Sequence, residues 1–165
     1  MDDGAASLPT LAERIKECAR DAYGLYHRLV LVAGPPNSGK TVALREVSAS
    51  ASAPLVNVNL ELSRRMLDLT ERQRTLQLPR LLGEMVGDAA GGLILLDNLE
   101  ILFDVHLGQD PLRLLQGLSR NKTVVASWPG AVVDGFLTYA VPGHPEFRRY
   151  PAGDLQIVET QCGNK

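Results

Sequence analysis

The chain has 165 residues, 45% hydrophobic and 22% charged, which fits one globular domain and leaves little room for a second. Its 17 Lys and Arg against 19 Asp and Glu give a formal charge of −2, without the basic excess of a protein that lives on nucleic-acid phosphates. No apolar run approaches the ~20 residues of a bilayer span, and the acidic start Met1-Asp2-Asp3-Gly4 lacks the apolar core of a signal peptide, so a cytoplasmic protein is expected.

Ser7 to Ala22 is expected as a helix, with Thr10 and Glu13 in capping-box register and Leu11, Ile15, Cys18, Ala19 and Ala22 on one face. Cys18 and Cys162 have no metal-ligand spacing and are read as free thiols. Arg28 to Ala33 suits a central parallel strand buried on both faces. A turn-rich loop, Gly34 to Gly39, leads into a helix over Lys40 to Ser50, with Val42, Ala43 and Val47 as inward positions. Pro54 to Leu60 alternates in period two and predicts a second strand ending at Glu61, followed by a helical turn over Arg64 to Asp68. Pro79 to Ala89 predicts a helix with Pro79 at its first position and Leu81, Leu82, Met85 and Val86 inward.

Leu93 to Leu96 is a third buried strand, ending at Asp97. Asp110 to Leu118 predicts a helix capped by Asp110 with Pro111 at its first position. Thr123 to Ser127 is a fourth strand, Val132 to Val141 a hairpin turning at Asp134-Gly135, and Leu155 to Val158 a last strand. Strands alternating with helices imply a mostly parallel α/β sheet. The expected organisation is a helical segment 1–27, a core 28–160 and a tail 161–165.

Gly34-Pro35-Pro36-Asn37-Ser38-Gly39-Lys40-Thr41 fits G-x-x-x-x-G-K-[ST] at every fixed position, between a predicted strand and a predicted helix. Glycines let such a loop turn its N–H groups onto a phosphate chain, and the following helix adds the positive end of its dipole. Lys40 would reach the β- and γ-phosphates, Thr41 would place its hydroxyl on Mg²⁺, and Val42 would border the site. The second half of a triphosphate site is an acid at the end of a neighbouring strand, and Asp97 has that place. These residues predict binding of ATP with Mg²⁺. Asn121-Lys122-Thr123-Val124 lacks the carboxylate that would read guanine.

The expected fold is a three-layer P-loop NTPase core of the additional-strand, AAA+-like type, with a helical lid absent or minimal. In that arrangement the strand ending at Ser127 lies between the loop strand and the Asp97 strand, and Ser127 can sense the γ-phosphate. Many ATPases of this class place Glu directly after the strand-end Asp. Here it is Asn98, whose amide orients water but takes no proton. Glu61 and Glu100 are the two candidate bases. Arg148 and Arg149, just before the last strand, are candidates for a finger reaching a neighbouring subunit's nucleotide.

Several runs carry a narrower signal. Asn57-Val-Asn59-Leu-Glu61-Leu-Ser63-Arg64-Arg65, Leu95-Leu-Asp97-Asn98, Asp110-Pro-Leu-Arg113-Leu-Leu-Gln116-Gly-Leu-Ser-Arg120, Trp128-Pro-Gly130 and Gly143-His-Pro-Glu-Phe-Arg-Arg-Tyr150 resemble the BrxF-type P-loop proteins of bacteriophage-exclusion (BREX) defence systems. The resemblance runs from about Arg28 to Val158. It implies a bacterial ATP-binding subunit working with other defence proteins, including a methyltransferase and larger ATPases, and meeting nucleic acid only within that assembly.

Three functions then compete. The first is an ATPase, slow or partner-stimulated, whose site is closed by a second copy or a partner. The second is an adaptor that binds ATP with little turnover. The third is a small-molecule kinase, which would set the Asp97 strand directly beside the loop strand.

Overall fold

The computed structural model describes residues 8–160; Cys162, the tail 161–165 and the first seven residues of the N-terminal segment lie outside the described residues. The elements are α1 (Leu11–Ala22), β1 (Leu29–Ala33), α2 (Lys40–Ala51), β2 (Leu55–Asn57), α3 (Val58–Arg65), α4 (Glu71–Asp88) and β3 (Leu93–Asp97). Two short 3-10 turns, Glu100–Phe103 and Val105–Leu107, precede α5 (Pro111–Leu118), β4 (Thr123–Trp128), β5 (Ala131–Val133), β6 (Phe136–Tyr139), β7 (Arg148–Pro151) and β8 (Gln156–Glu159).

Five strands form a parallel sheet in the order β2-β3-β4-β1-β8. The strand order puts β4 between β1 and β3. Strand alternation divides the core. Leu29 and Leu31 of β1, with Ile94, Leu96, Val124 and Ala126, face a cluster built from α3, α4 and α5. Val30 and Val32, with Leu95, Val125 and Val158, face Ile15 and Ala19 of α1 and Ala43, Leu44 and Val47 of α2. Burial on both faces explains why these strands read as unbroken apolar runs. No helix among the described residues is long and apolar enough to cross a membrane.

The caps follow the sequence closely at two helices. Thr10 and Glu13 form a reciprocal capping box on α1, and Asp110 accepts the Arg113 N–H with Pro111 opening α5. At α2 the inward positions are Ala43, Leu44 and Val47, whereas Val42 is 59% exposed. One residue is 100° of helix, enough to carry Val42 off the core stripe toward the loop mouth.

The second strand is shorter than its alternation predicts. It stops at Asn57, whose side chain accepts the Leu60 N–H and starts α3. Val58 and Leu62, four apart, are then both fully buried, so helical packing overrides period two. Glu61 consequently lies in the first turn of α3 instead of at a strand end, and Arg64 and Arg65, expected in a separate turn, close that helix.

Helix α4 begins eight residues before the predicted start, on a second capping box made by Thr70 and Gln73, and encloses Pro79. Proline has no N–H to give the carbonyl four residues back, that of Thr75. Gln109 Nε2 donates to that carbonyl at 2.8 Å, so the loop before α5 supplies the missing bond.

A second sheet, antiparallel in the order β5-β6-β7, turns at Asp134 and Gly135, both at positive φ (52° and 81°), as a two-residue hairpin requires. Its third strand, β7, was not expected. Trp128, fully buried at the end of β4, ties this sheet to the core: its Nε1 donates to the Thr138 carbonyl at 3.0 Å and its ring meets Phe103 edge-on.

The Gln109 amide has a measurable signature. Gln109→Ala is expected to destabilise the protein by about 1–2 kcal/mol. In a Pro79→Ala background, where residue 79 regains its N–H, the same change is expected to cost less than about 0.5 kcal/mol. Urea unfolding of the four-member cycle measures both; equal costs in the two backgrounds would refute the role given to Gln109.

Candidate functional site

The loop between β1 and α2 carries the glycine-lysine run. Gly39 sits at φ 96°, a conformation that costs a side-chain-bearing residue dearly. Gly34 has no room for a Cβ, which would lie 2.3 Å from Thr160 Oγ1 and 2.6 Å from Ser38 Oγ. Asn37, at φ 62°, uses the tolerance of asparagine for the left-handed region. The loop curls round its own lysine: Lys40 Nζ donates to the carbonyls of Gly34 and Pro35, the latter at 3.0 Å. Ser38 Oγ is buried without a partner among the described residues.

Asp97 ends β3 and is 6% exposed. Three donors converge on its carboxylate. Thr41 Oγ1 donates to Oδ2 at 2.7 Å, Ser127 Oγ to Oδ1 at 2.7 Å, and the Asn98 N–H to Oδ1 at 2.9 Å. The pairing β1–β4–β3 makes this possible, because parallel strands place the ends of all three on one edge of the sheet.

Between these groups lies a cleft of about 500 Å³, lined by Pro36, Asn37, Gly39, Lys40, Thr41, Val42, Asp97, Asn98, Glu100, Ser127 and Pro129. Burial lowers the Lys40 ammonium below the usual lysine value, with Asp97 and then Glu100 pulling it back. The sign follows: the charged ammonium is less stable here than in the unfolded chain. It therefore costs stability below its folded-state pKa, and the cost fades as pH rises through that value toward the unfolded one. A polyanion in the cleft would relieve it. The Thr41 hydroxyl and Asp97 carboxylate form an adjacent pair of hard oxygen donors, the type that suits Mg²⁺.

The structure therefore brings together Lys40, Thr41, Val42, Asp97, Asn98, Glu100 and Ser127. Gly34 and Pro35 border a smaller neighbouring depression and reach the site through the carbonyls bound to Lys40. Glu61 is elsewhere. It pairs with Arg64 at 3.5 Å and Arg65 at 3.2 Å, beside β2 and Met85, because α3 has replaced the end of the predicted strand. Arg148 and Arg149 lie on β7 and do not line the cleft. The Arg149 guanidinium stacks 3.4 Å from the Phe136 ring centre, and Arg148 Nη1 donates to the Phe147 carbonyl at 3.2 Å.

Asn59 was not singled out by the sequence. Its Nδ2 donates to Glu100 Oε1 at 3.1 Å, its Oδ1 accepts the Ile101 N–H at 2.8 Å, and its N–H donates to the Asn98 carbonyl at 2.9 Å. Beyond its place in the Asn57–Arg65 run, its one sequence signal was an amide interrupting an apolar stretch. Asn98 also has a role that composition hides: it stands at φ 57°, and that turn directs its own N–H back to Asp97.

Comparison with protein-family models, with curated proteins and with solved structures found no match for the chain.

The left-handed turn at residue 98 can be tested directly. Asn98→Gly is expected to leave stability within about 0.5 kcal/mol, and Asn98→Glu to cost about 1–2 kcal/mol because glutamate gains nothing locally at positive φ. Urea midpoints measure this; equal stability of the two variants would remove the backbone explanation for Asn98.

Proposed function

We propose that the chain binds ATP with Mg²⁺ in the Lys40–Asp97 cleft and acts as the ATP-dependent subunit of a larger assembly. One observation carries the reading: Thr41, next to the loop lysine, shares a hydrogen bond with a buried carboxylate two strands away. A glycine-bordered loop, a half-buried ammonium and paired hard oxygens suit a polyphosphate and its cation. The order β2-β3-β4-β1-β8, with a strand between the loop strand and the acid strand, supports an additional-strand P-loop core over a small-molecule kinase.

The roles follow from position. Loop N–H groups and Lys40 hold the phosphates; Thr41 and Asp97 hold the cation's shell; Ser127 orients Asp97. Bound magnesium would supply charge neutralisation at the phosphates. Glu100 is the favoured base because it lines the cleft, whereas Glu61 is engaged by two arginines outside it. Asn59 holds one oxygen of Glu100.

The same contact favours a second reading. A Glu100 held by Asn59, following an Asn98 that takes no proton, suits an adaptor that binds ATP and turns it over little. The runs resembling BrxF-type proteins suggest a BREX anti-phage assembly as its setting. In that setting a second copy or a partner closes the cleft, and the exposed Arg149 is a candidate finger.

Isothermal titration with ATP, ADP and GTP in Mg²⁺ is expected to show ATP binding that weakens at least tenfold, or about 1.4 kcal/mol, in Lys40→Ala. Unchanged affinity would overturn the site. Phosphate release is expected to fall at least tenfold in Glu100→Gln and to persist in Glu61→Gln. Release equal in the parent protein and Lys40→Ala would instead support the adaptor.

A further inference from the structure

A second cavity, of about 540 Å³, opens at the other edge of the sheet. It lies where Arg28 leads into β1 and where β3 and β4 begin, at Leu93 and Thr123. Its volume falls within the range of small-molecule sites. The floor is apolar, made by Ala19, Val47 and Leu93, and the rim carries three cations, Lys16, Arg20 and Arg28. No carboxylate lines it, and none of the three cations pairs with one among the described residues.

Arg28 is held in place. Its Nε donates to Thr123 Oγ1 at 3.2 Å, and its guanidinium lies 4.3 Å over the Tyr23 ring. Its Nη groups have no protein acceptor among the described residues. A fork fixed in this way loses little freedom when it meets an oxyanion.

The competing explanation is that these cations offset the carbonyl ends of α1 and α2, which both stop at this edge. Each helix end is worth about half a negative charge. Arg20, in the last turn of α1, suffices for one of them. Two helix ends sum to about one negative charge against three full positive ones, so the lining itself stays cationic, with Glu17 and Asp21 of α1 outside it.

We propose that this cavity binds a small organic anion: an acidic group held by Arg28, Lys16 and Arg20, and a flat apolar body resting on Ala19, Val47 and Leu93. The site is independent of the nucleotide reading, and no residue is shared between the two clefts.

The probe is 8-anilinonaphthalene-1-sulfonate, an aromatic anion whose fluorescence rises on burial, beside the uncharged N-phenyl-1-naphthylamine. Saturable one-to-one binding of the sulfonate is expected, at least tenfold tighter than that of the neutral arene. It is expected to weaken at least tenfold in Lys16→Gln/Arg28→Gln and severalfold in Arg20→Gln, whose exposed side chain leaves the fold intact. Saturating Mg²⁺ and ATP is expected to leave it unchanged. Equal binding of the neutral arene, full affinity in Arg20→Gln and the double variant, or displacement of the sulfonate by ATP would each overturn the proposal. If the double variant fails to fold, Arg20→Gln and Lys16→Gln carry the test, and unaltered affinity in both would equally overturn it.

Discussion

A carboxylate taken out of water must be met by donors, and Asp97 is met by three. Leaving such a group unpaired would cost several kcal/mol. Satisfying it instead joins the loop helix through Thr41, the middle strand through Ser127 and the turn after β3 through Asn98. The positions of loop, sheet edge and turn are thus mutually set by one buried charge. Charge-assisted bonds are the strong ones, so the cleft is shaped before any ligand arrives. That is the kind of preorganisation the proposed triphosphate site would use.

Much of this was legible because it rests on local chemistry. The loop run and the strand-end aspartate are read from residue types at fixed offsets, and the caps at Thr10 and Asp110 from side chains that bond three residues ahead. The failures share a different cause. Asn57-Val58-Asn59-Leu60 has the alternation of a strand, yet Asn57 is also a good helix cap, and burial of Val58 with Leu62 decided between them. Glu61 moved out of the cleft with that decision. Pro79 looked like a helix start because the residue that compensates for it, Gln109, is 30 positions away and contributes through space. Strand β7 has only Arg148–Pro151 to announce it, and it forms by pairing with β6. Asn59 likewise acts through Glu100 and Ile101, neither of them local.

The two edges of the sheet carry opposite chemistry. At the carboxyl ends, a lysine, a threonine and acids converge on a polar cleft; at the amino ends, cations ring an apolar hollow. β1 and α2 each run from one to the other: Arg28 leads into β1 and Gly34 follows it, while Lys40 opens α2 and Ala51 closes it. Both are buried against α1 through residues such as Val30, Val32, Leu44 and Val47. Close packing of this kind leaves little slack along either element.

The bond between Gln109 and the carbonyl that Pro79 leaves bare has an evolutionary corollary. Neither residue is favourable alone: the imino acid interrupts a ladder, and the amide would be an ordinary loop side chain. They make sense as a pair, so drift at one position should be constrained by the other. Chains descended from the same ancestor would be expected to change both together, and a descendant with alanine at 79 would be released to carry almost anything at 109.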